Sequence, residues 1–112
     1  MFAKDLGVPL VRVLSKGSYN HKVETINNSD KTPADKTKLL AKLALLVREA
    51  NVNEQGKLLV PKDLSEMAGI APDSDVVLAG RGMNFEIFSK ANFDIYFAQL
   101  TDEEVEDDLG IF

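Results

Sequence analysis

The 112-residue sequence predicts an α+β fold of short strand–turn–strand units around a helix, and three features carry that prediction. A polar tetrad ending in glycine, Asn53-Glu54-Gln55-Gly56, separates a short apolar approach from an apolar run that Pro61 closes, the pattern of a tight turn between extended segments. Leucines recur at helical spacing between Pro33 and Ala50. Short β-rich runs, Val76-Val77-Leu78 and Phe85-Glu86-Ile87-Phe88, flank a glycine turn.

In chain order, residues 1–16 read as an irregular lead into a strand over residues 10–14. Gly17 then marks a turn, and Val23, Thr25 and Ile26 suggest a second short strand, so residues 1–32 are expected to form a partial or degenerate hairpin whose loop holds Ser18, Tyr19, Asn20 and His21. Leu6-Gly7-Val8-Pro9, Val13-Leu14 and Lys16-Gly17 echo, in order, Ala68-Gly69-Ile70-Ala71-Pro72, Val77-Leu78 and Arg81-Gly82. That echo suggests the closing hairpin of a first repeat without its opening turn.

Residues 33–50 form the expected connecting helix. Thr32 is the cap, Pro33 takes the first helical position and Asp35 meets the positive end of the helix dipole. Leu39, Leu43, Leu46 and Ala50, widened by Leu40 and Val47, make one broad apolar face that needs cover. Lys36, Lys38, Lys42 and Arg48 read as its solvated side.

In the central motif, Gly56 supplies the left-handed conformation and Asn53 caps the turn through its side chain. A strand over residues 58–60 should pass into a helix over residues 61–68 that Gly69 ends. Residues 71–75 form a loop, residues 76–78 a strand, residues 80–84 a turn and residues 85–88 the pairing strand. Arg81 reads as a plain turn residue. Ser89 caps a helix on which Phe93, Tyr96, Phe97 and Leu100 line one side, as packing residues rather than a base-stacking platform. Residues 101–112 form an acidic C-terminal segment, either a short helix or a tail that orders on a neighbour.

Composition bounds the function. At 45% hydrophobic residues the chain can bury a modest core. It has no cysteine, so there is no disulfide or thiolate metal site, and a cytoplasmic setting is the expectation. No run reaches membrane-spanning length and nothing resembles a signal peptide. The net charge of −5 is unevenly spread: residues 1–50 hold nine basic and five acidic side chains, residues 51–112 four and thirteen. An acidic tail can stand apart from a basic face, so the sum does not exclude DNA. His21 lacks companions for a metal set and reads as a loop residue. No nucleophile elbow, phosphate loop, paired histidines or dinucleotide fingerprint is present, so neither an enzyme nor a cofactor, metal or small-molecule substrate is expected.

Gly56-Lys57-Leu58-Leu59-Val60-Pro61, Leu64, Ala68-Gly69-Ile70, Val76-Val77-Leu78 and Phe85-Glu86-Ile87 resemble, in order and spacing, the MraZ family of bacterial transcriptional regulators, which are built from AbrB-like (SpoVT-AbrB) repeats. The likeness covers residues 51–100 and is to the second of two repeats. Asn53 stands where that pattern usually has aspartate and Lys57 where it has arginine. The resemblance implies a swapped-hairpin, barrel-like core, with neither hairpin burying its apolar face alone, and self-association into a dimer or larger ring. It also implies DNA binding at promoter direct repeats and repression of the division and cell-wall gene cluster. Asn53, Gln55 and Lys57 are the candidate DNA-facing residues, with Lys57 at the turn's exit to meet phosphate or a guanine edge. A simply solvated turn remains open. The alternative function is an oligomeric interaction module without DNA, or an AbrB-like antitoxin whose acidic tail binds a protein.

Overall fold

The computed structural model describes residues 1–102 together with 109 and 110. Its elements are β1 (Phe2–Asp5), β2 (Val8–Val13), α1 (Lys16–Asn27), α2 (Pro33–Leu46), α3 (Lys62–Met67), β3 (Val76–Arg81), β4 (Asn84–Ser89) and α4 (Lys90–Asp102). The class is α+β as expected, and the strands form one open antiparallel sheet in the order β1-β2-β4-β3 rather than a closed barrel. The expected acidic tail lies almost wholly outside the described residues.

Each hairpin closes on a two-residue turn that needs left-handed backbone. Leu6 and Gly7 have φ of 51° and 75° between β1 and β2, and Gly82 has φ of 67° between β3 and β4. β2 and β4 pair at the sheet centre, with Val11 opposite Ile87 and Val13 opposite Phe85. A local twofold axis there relates the halves, since each is a hairpin followed by a serine-capped helix. Ser15 Oγ accepts from Ser18 N at 3.0 Å, and Ser89 Oγ accepts from Asn92 N at 3.1 Å.

That equivalence corrects two expectations. The turn of the first hairpin is Leu6-Gly7 and not Gly17, so Leu6-Gly7, rather than Lys16-Gly17, corresponds in place to Gly82-Met83. Val23, Thr25 and Ile26 lie in α1 instead of a strand. The physical reason is that Ser15 provides a helix start and that Tyr19, Val23 and Ile26 recur at helical spacing. The β-branched composition is overridden by the cap and by packing of α1 against α2.

Alternation across the sheet divides the core between its two faces. Val8, Leu10 and Phe88 pack with Tyr96 of α4 on one face, joined by Phe93, whose ring meets Phe88 edge-on at 5.6 Å. Val11 and Ile87 pack with Leu64 and Ala68 of α3 on the other. The expected helix over residues 61–68 is present as α3, with Pro61 at its cap and Gly69 at φ 73° after it. Gly69 N–H donates to Glu66 O and Ile70 N–H to Ser65 O, which closes the helix end. The expected strand over residues 58–60 is reduced to a single bridge, Val52 opposite Leu58. With no third strand beside it, a two-stranded ribbon gains too little to extend.

A charged network ties the sheet together. Glu86, 1% exposed, sits on the α4 face opposite Arg12, whose Nη2 donates to Oε2 at 3.4 Å, and Arg81 Nε reaches Oε1 at 3.0 Å. Arg81 also pairs with Asp5 and donates to the Tyr96 hydroxyl at 2.7 Å, while that hydroxyl donates to Asp5 at 2.9 Å. Asp5 and Arg81 stand at diagonally opposite corners of the sheet, which its twist folds toward each other over α4. Arg81 is therefore a corner clamp and not a plain turn residue.

Candidate nucleic-acid interface

The central motif forms an exposed arm between α2 and α3. Its two feet are held together by Arg48, whose Nη2 donates to Asp63 at 2.9 Å while Nη1 donates to the carbonyls of Leu45 and Val47 at 2.8 and 2.9 Å. Arg48 thus closes the C-terminal end of α2 and anchors the first turn of α3, a positioning role that the helical pattern alone did not reveal.

At the tip, Asn53 N–H donates to Lys57 O at 3.0 Å and Gly56 N–H to Asn53 O at 2.9 Å, with Gly56 at φ 76°. Asn53 Oδ1 accepts from Gln55 N–H at 3.0 Å and from Lys57 N–H at 2.8 Å. The expected side-chain cap is present, and it occupies the oxygen of Asn53. Only the Nδ2 amide of that side chain remains to meet a ligand. Asn53, Gln55 and Lys57 are all exposed and lie within this one turn. Lys57 has no ion pair among the described residues, so its ammonium is available to an anion.

Beneath the arm runs a cleft of about 540 Å³, lined by Val52, Leu58, Val60 and Pro61 on one side and by Val13 and Tyr19 on the other. The Met1 amine, Arg12, Lys16 and Arg48 also border it. Burial first, then the charges of Arg12 and Arg48, lower the affinity of the Met1 amine for its proton. The amine donates to Arg12 O at 2.8 Å, so it is held as part of the sheet.

Other sequence candidates lie elsewhere. His21 is an exposed residue of α1 rather than a loop residue, and Tyr96 and Phe93 belong to the core. Phe97, 55% exposed, stacks on Phe93 at 6.1 Å. Among the described residues there is no cluster of three metal-ligating side chains, and no described helix is long and apolar enough to cross a membrane.

The family profile described as "MraZ protein, putative antitoxin-like" matches residues 47–109, from the first foot of the arm to beyond the end of α4. The chain is 35% identical over 86 residues to the transcriptional regulator MraZ of Mycoplasmopsis pulmonis, a span that is 77% of this chain and 55% of that protein. It is 37% identical over 59 residues to the Leuconostoc citreum protein of the same name, covering 53% and 39% of the two chains. With the Anaeromyxobacter sp. protein it shares 26% identity over 101 residues, 89% of this chain and 68% of the relative. The chain spans about half the length of the first of these relatives and less of the second. No solved structure matches it significantly. The matched span holds the arm, α3, the β3–β4 hairpin and α4 as one continuous unit, and the chain belongs to the MraZ family.

Proposed function

We propose that the chain is a DNA-binding transcriptional regulator that presents the turn Asn53-Glu54-Gln55-Gly56-Lys57 to the duplex. The observation that carries this reading is the turn itself: rigidly hydrogen-bonded, exposed, and ending in a lysine with no ion pair among the described residues. Lys57 supplies phosphate affinity or a guanine contact, and Gln55 and the Asn53 amide supply further hydrogen bonds. Lysine lacks the bidentate fork of arginine and Glu54 repels phosphate, so one turn binds weakly. Useful affinity then requires several turns on one oligomer engaging repeated promoter sites together. Repression of the division and cell-wall gene cluster, in a cytoplasmic, nucleoid-associated setting, is the role this reading assigns.

Fluorescence anisotropy with a duplex carrying short direct repeats, against a scrambled duplex, tests it at two salt concentrations. Preference for the repeats is expected, weakening with salt, and Lys57→Ala should reduce the slope of log affinity against log salt by about 0.9 for each turn engaged. Absence of binding to either duplex at low salt would overturn the reading. A second reading, a protein-binding module without DNA, draws on the thirteen acidic side chains among residues 51–112. In that case DNA fails and a basic protein partner binds residues 101–112.

A further inference from the structure

The arm is rigid at its tip and thinly attached at its base. Its hydrogen bonds fall between Asn53 and Lys57 and close the turn on itself. Among the described residues, the backbone of residues 49–52 and 58–60 makes no hydrogen bond. The tip is therefore free to swing as one body unless its two limbs are fixed by other means. The descending limb is fixed by Val60, which packs against the cluster around Leu64. The ascending limb has no such packing, since residues 48–53 are all exposed. Two consecutive side chains hold it instead, Arg48 to Asp63 at 2.9 Å and Glu49 to Lys16 at 3.4 Å.

These two ion pairs are unequal. Lys16 and Glu49 are almost fully exposed, the form of surface pair that contributes little. The partners of the other pair are each oriented before they meet. Arg48 Nη1 donates to the carbonyls of Leu45 and Val47, which fixes the guanidinium plane, and only then does Nη2 reach Asp63 Oδ2. Asp63 Oδ1 accepts from Leu64 N–H at 2.9 Å, which fixes the carboxylate. Little side-chain freedom is left to lose when the two join, and the fork of arginine makes both sets of bonds at once. Leu64 is itself buried against Val11 and Ile87, so a line of bonds runs from the end of α2 through Arg48 and Asp63 into the core. Both residues lie inside the span 47–109 that matches the family profile.

We propose that Arg48, acting through Asp63, is the positioning residue of the arm: it sets the direction in which residues 53–57 are presented, so that duplex affinity depends on an ion pair that touches no DNA. This deepens the function proposed above and rests on it for the effect on DNA, while the direction of the arm is tested without DNA. A tip that swings loses that freedom when it binds, and the loss recurs at every turn engaged. The sign of one substitution separates this role from a plain charge effect. Asp63 is an acid at the foot of a DNA-facing arm, so Coulomb attraction alone predicts that removing it strengthens binding to phosphate. Positioning predicts the opposite, although Arg48 keeps both its charge and its bonds to the end of α2.

The chain has no cysteine, so Glu54→Cys places a single thiol at the tip for a nitroxide label, and Met83→Cys, exposed on the β3–β4 turn, provides a control site. Asp63→Ala is expected to shift the electron paramagnetic resonance line shape of the tip label toward fast motion and to leave the control label unchanged, with amide-exchange protection at Gln55 and Lys57 retained. In anisotropy with the repeat duplex, Asp63→Ala should weaken binding about two- to fivefold for each turn engaged. The slope of log affinity against log salt should stay close to that of the parent, because no phosphate contact is lost. Glu66→Ala removes an equal charge from the same helix and should not weaken binding. A tip label equally immobile in the parent and in Asp63→Ala, or duplex binding that tightens in Asp63→Ala, would overturn the proposal. A parent chain that binds neither duplex overturns the function proposed above instead, and the tip label then decides by itself whether Arg48 sets the direction of the arm.

Discussion

Asn53 accepts two backbone N–H groups with one side-chain oxygen, which separates the part it plays in shaping the turn from any part in contacting a ligand. The two are resolved by two substitutions. Asn53→Ala removes both acceptor bonds, and the expected cost is about 1 kcal/mol of stability, with loss of amide-exchange protection at Gln55 and Lys57. Asn53→Asp keeps an acceptor at the same place, so protection at both amides persists, yet it sets a negative charge beside Lys57 and should weaken DNA binding at low salt. Proton exchange followed by NMR reads the first effect and anisotropy the second. If the aspartate variant lost protection as the alanine variant does, the oxygen would not be what holds the turn.

At the scale of elements, the sequence was most informative where local chemistry decided the outcome. α2 starts at the Thr32 cap, where Asp35 N–H donates to Thr32 Oγ1 at 3.1 Å, and α3 lies between Pro61 and Gly69 as its punctuation requires. The turn carrying Asn53, Gln55 and Lys57 was legible for the same reason, since glycine and a capping amide state its geometry directly. α1 was misread because Val23, Thr25 and Ile26 favour strands by composition while only their spacing records the helix. The clamp made by Arg81 was invisible because its partner Asp5 lies 76 residues away and meets it only through the twist of the finished sheet. The broad apolar face expected on α2 is only partly covered, with Leu43 buried and Leu39 40% exposed.

The short helix α3 makes the clearest energetic contrast between neighbouring leucines. Leu64 is 2% exposed against Val11 and Ile87, whereas Leu59 on the arm is 86% exposed. Leu64→Ala is expected to cost about 2–4 kcal/mol in urea unfolding, from lost transfer energy and the cavity left beneath α3. Leu59→Ala should stay within about 0.5 kcal/mol of the parent chain. A large loss at Leu59 would mean that the arm is covered by a neighbour in solution.

For the whole molecule the decisive device is the corner clamp, because it joins β1, β3, β4 and α4 through one set of groups. Burial first, then its hydrogen bond to Asp5, raises the affinity of the Tyr96 hydroxyl for its proton, although the charge of Arg81 opposes this. Burial pulls Arg81 the other way, but Glu86, Tyr96 and Asp5 outweigh it, so the guanidinium stays charged across the accessible range. Tyr96 is therefore the member of the clamp that titrates under alkaline conditions. In the unfolded chain the phenol releases its proton near its ordinary value of about 10, while the folded chain retains it to higher pH. Between those two values the folded state binds more protons than the unfolded state, so stability falls as pH rises, by at most about 1.4 kcal/mol per pH unit from this group. Below pH 10 the contribution is fully present. Tyr96→Phe removes the donor to Asp5 and the acceptor for Arg81, at an expected cost of about 1–3 kcal/mol near neutrality, and removes this share of the alkaline slope. Urea midpoints of the parent and Tyr96→Phe chains, measured from pH 7 to pH 11, should therefore converge as the pH rises. Parallel curves across that range would show that the phenol does not couple its proton to the closure of the sheet.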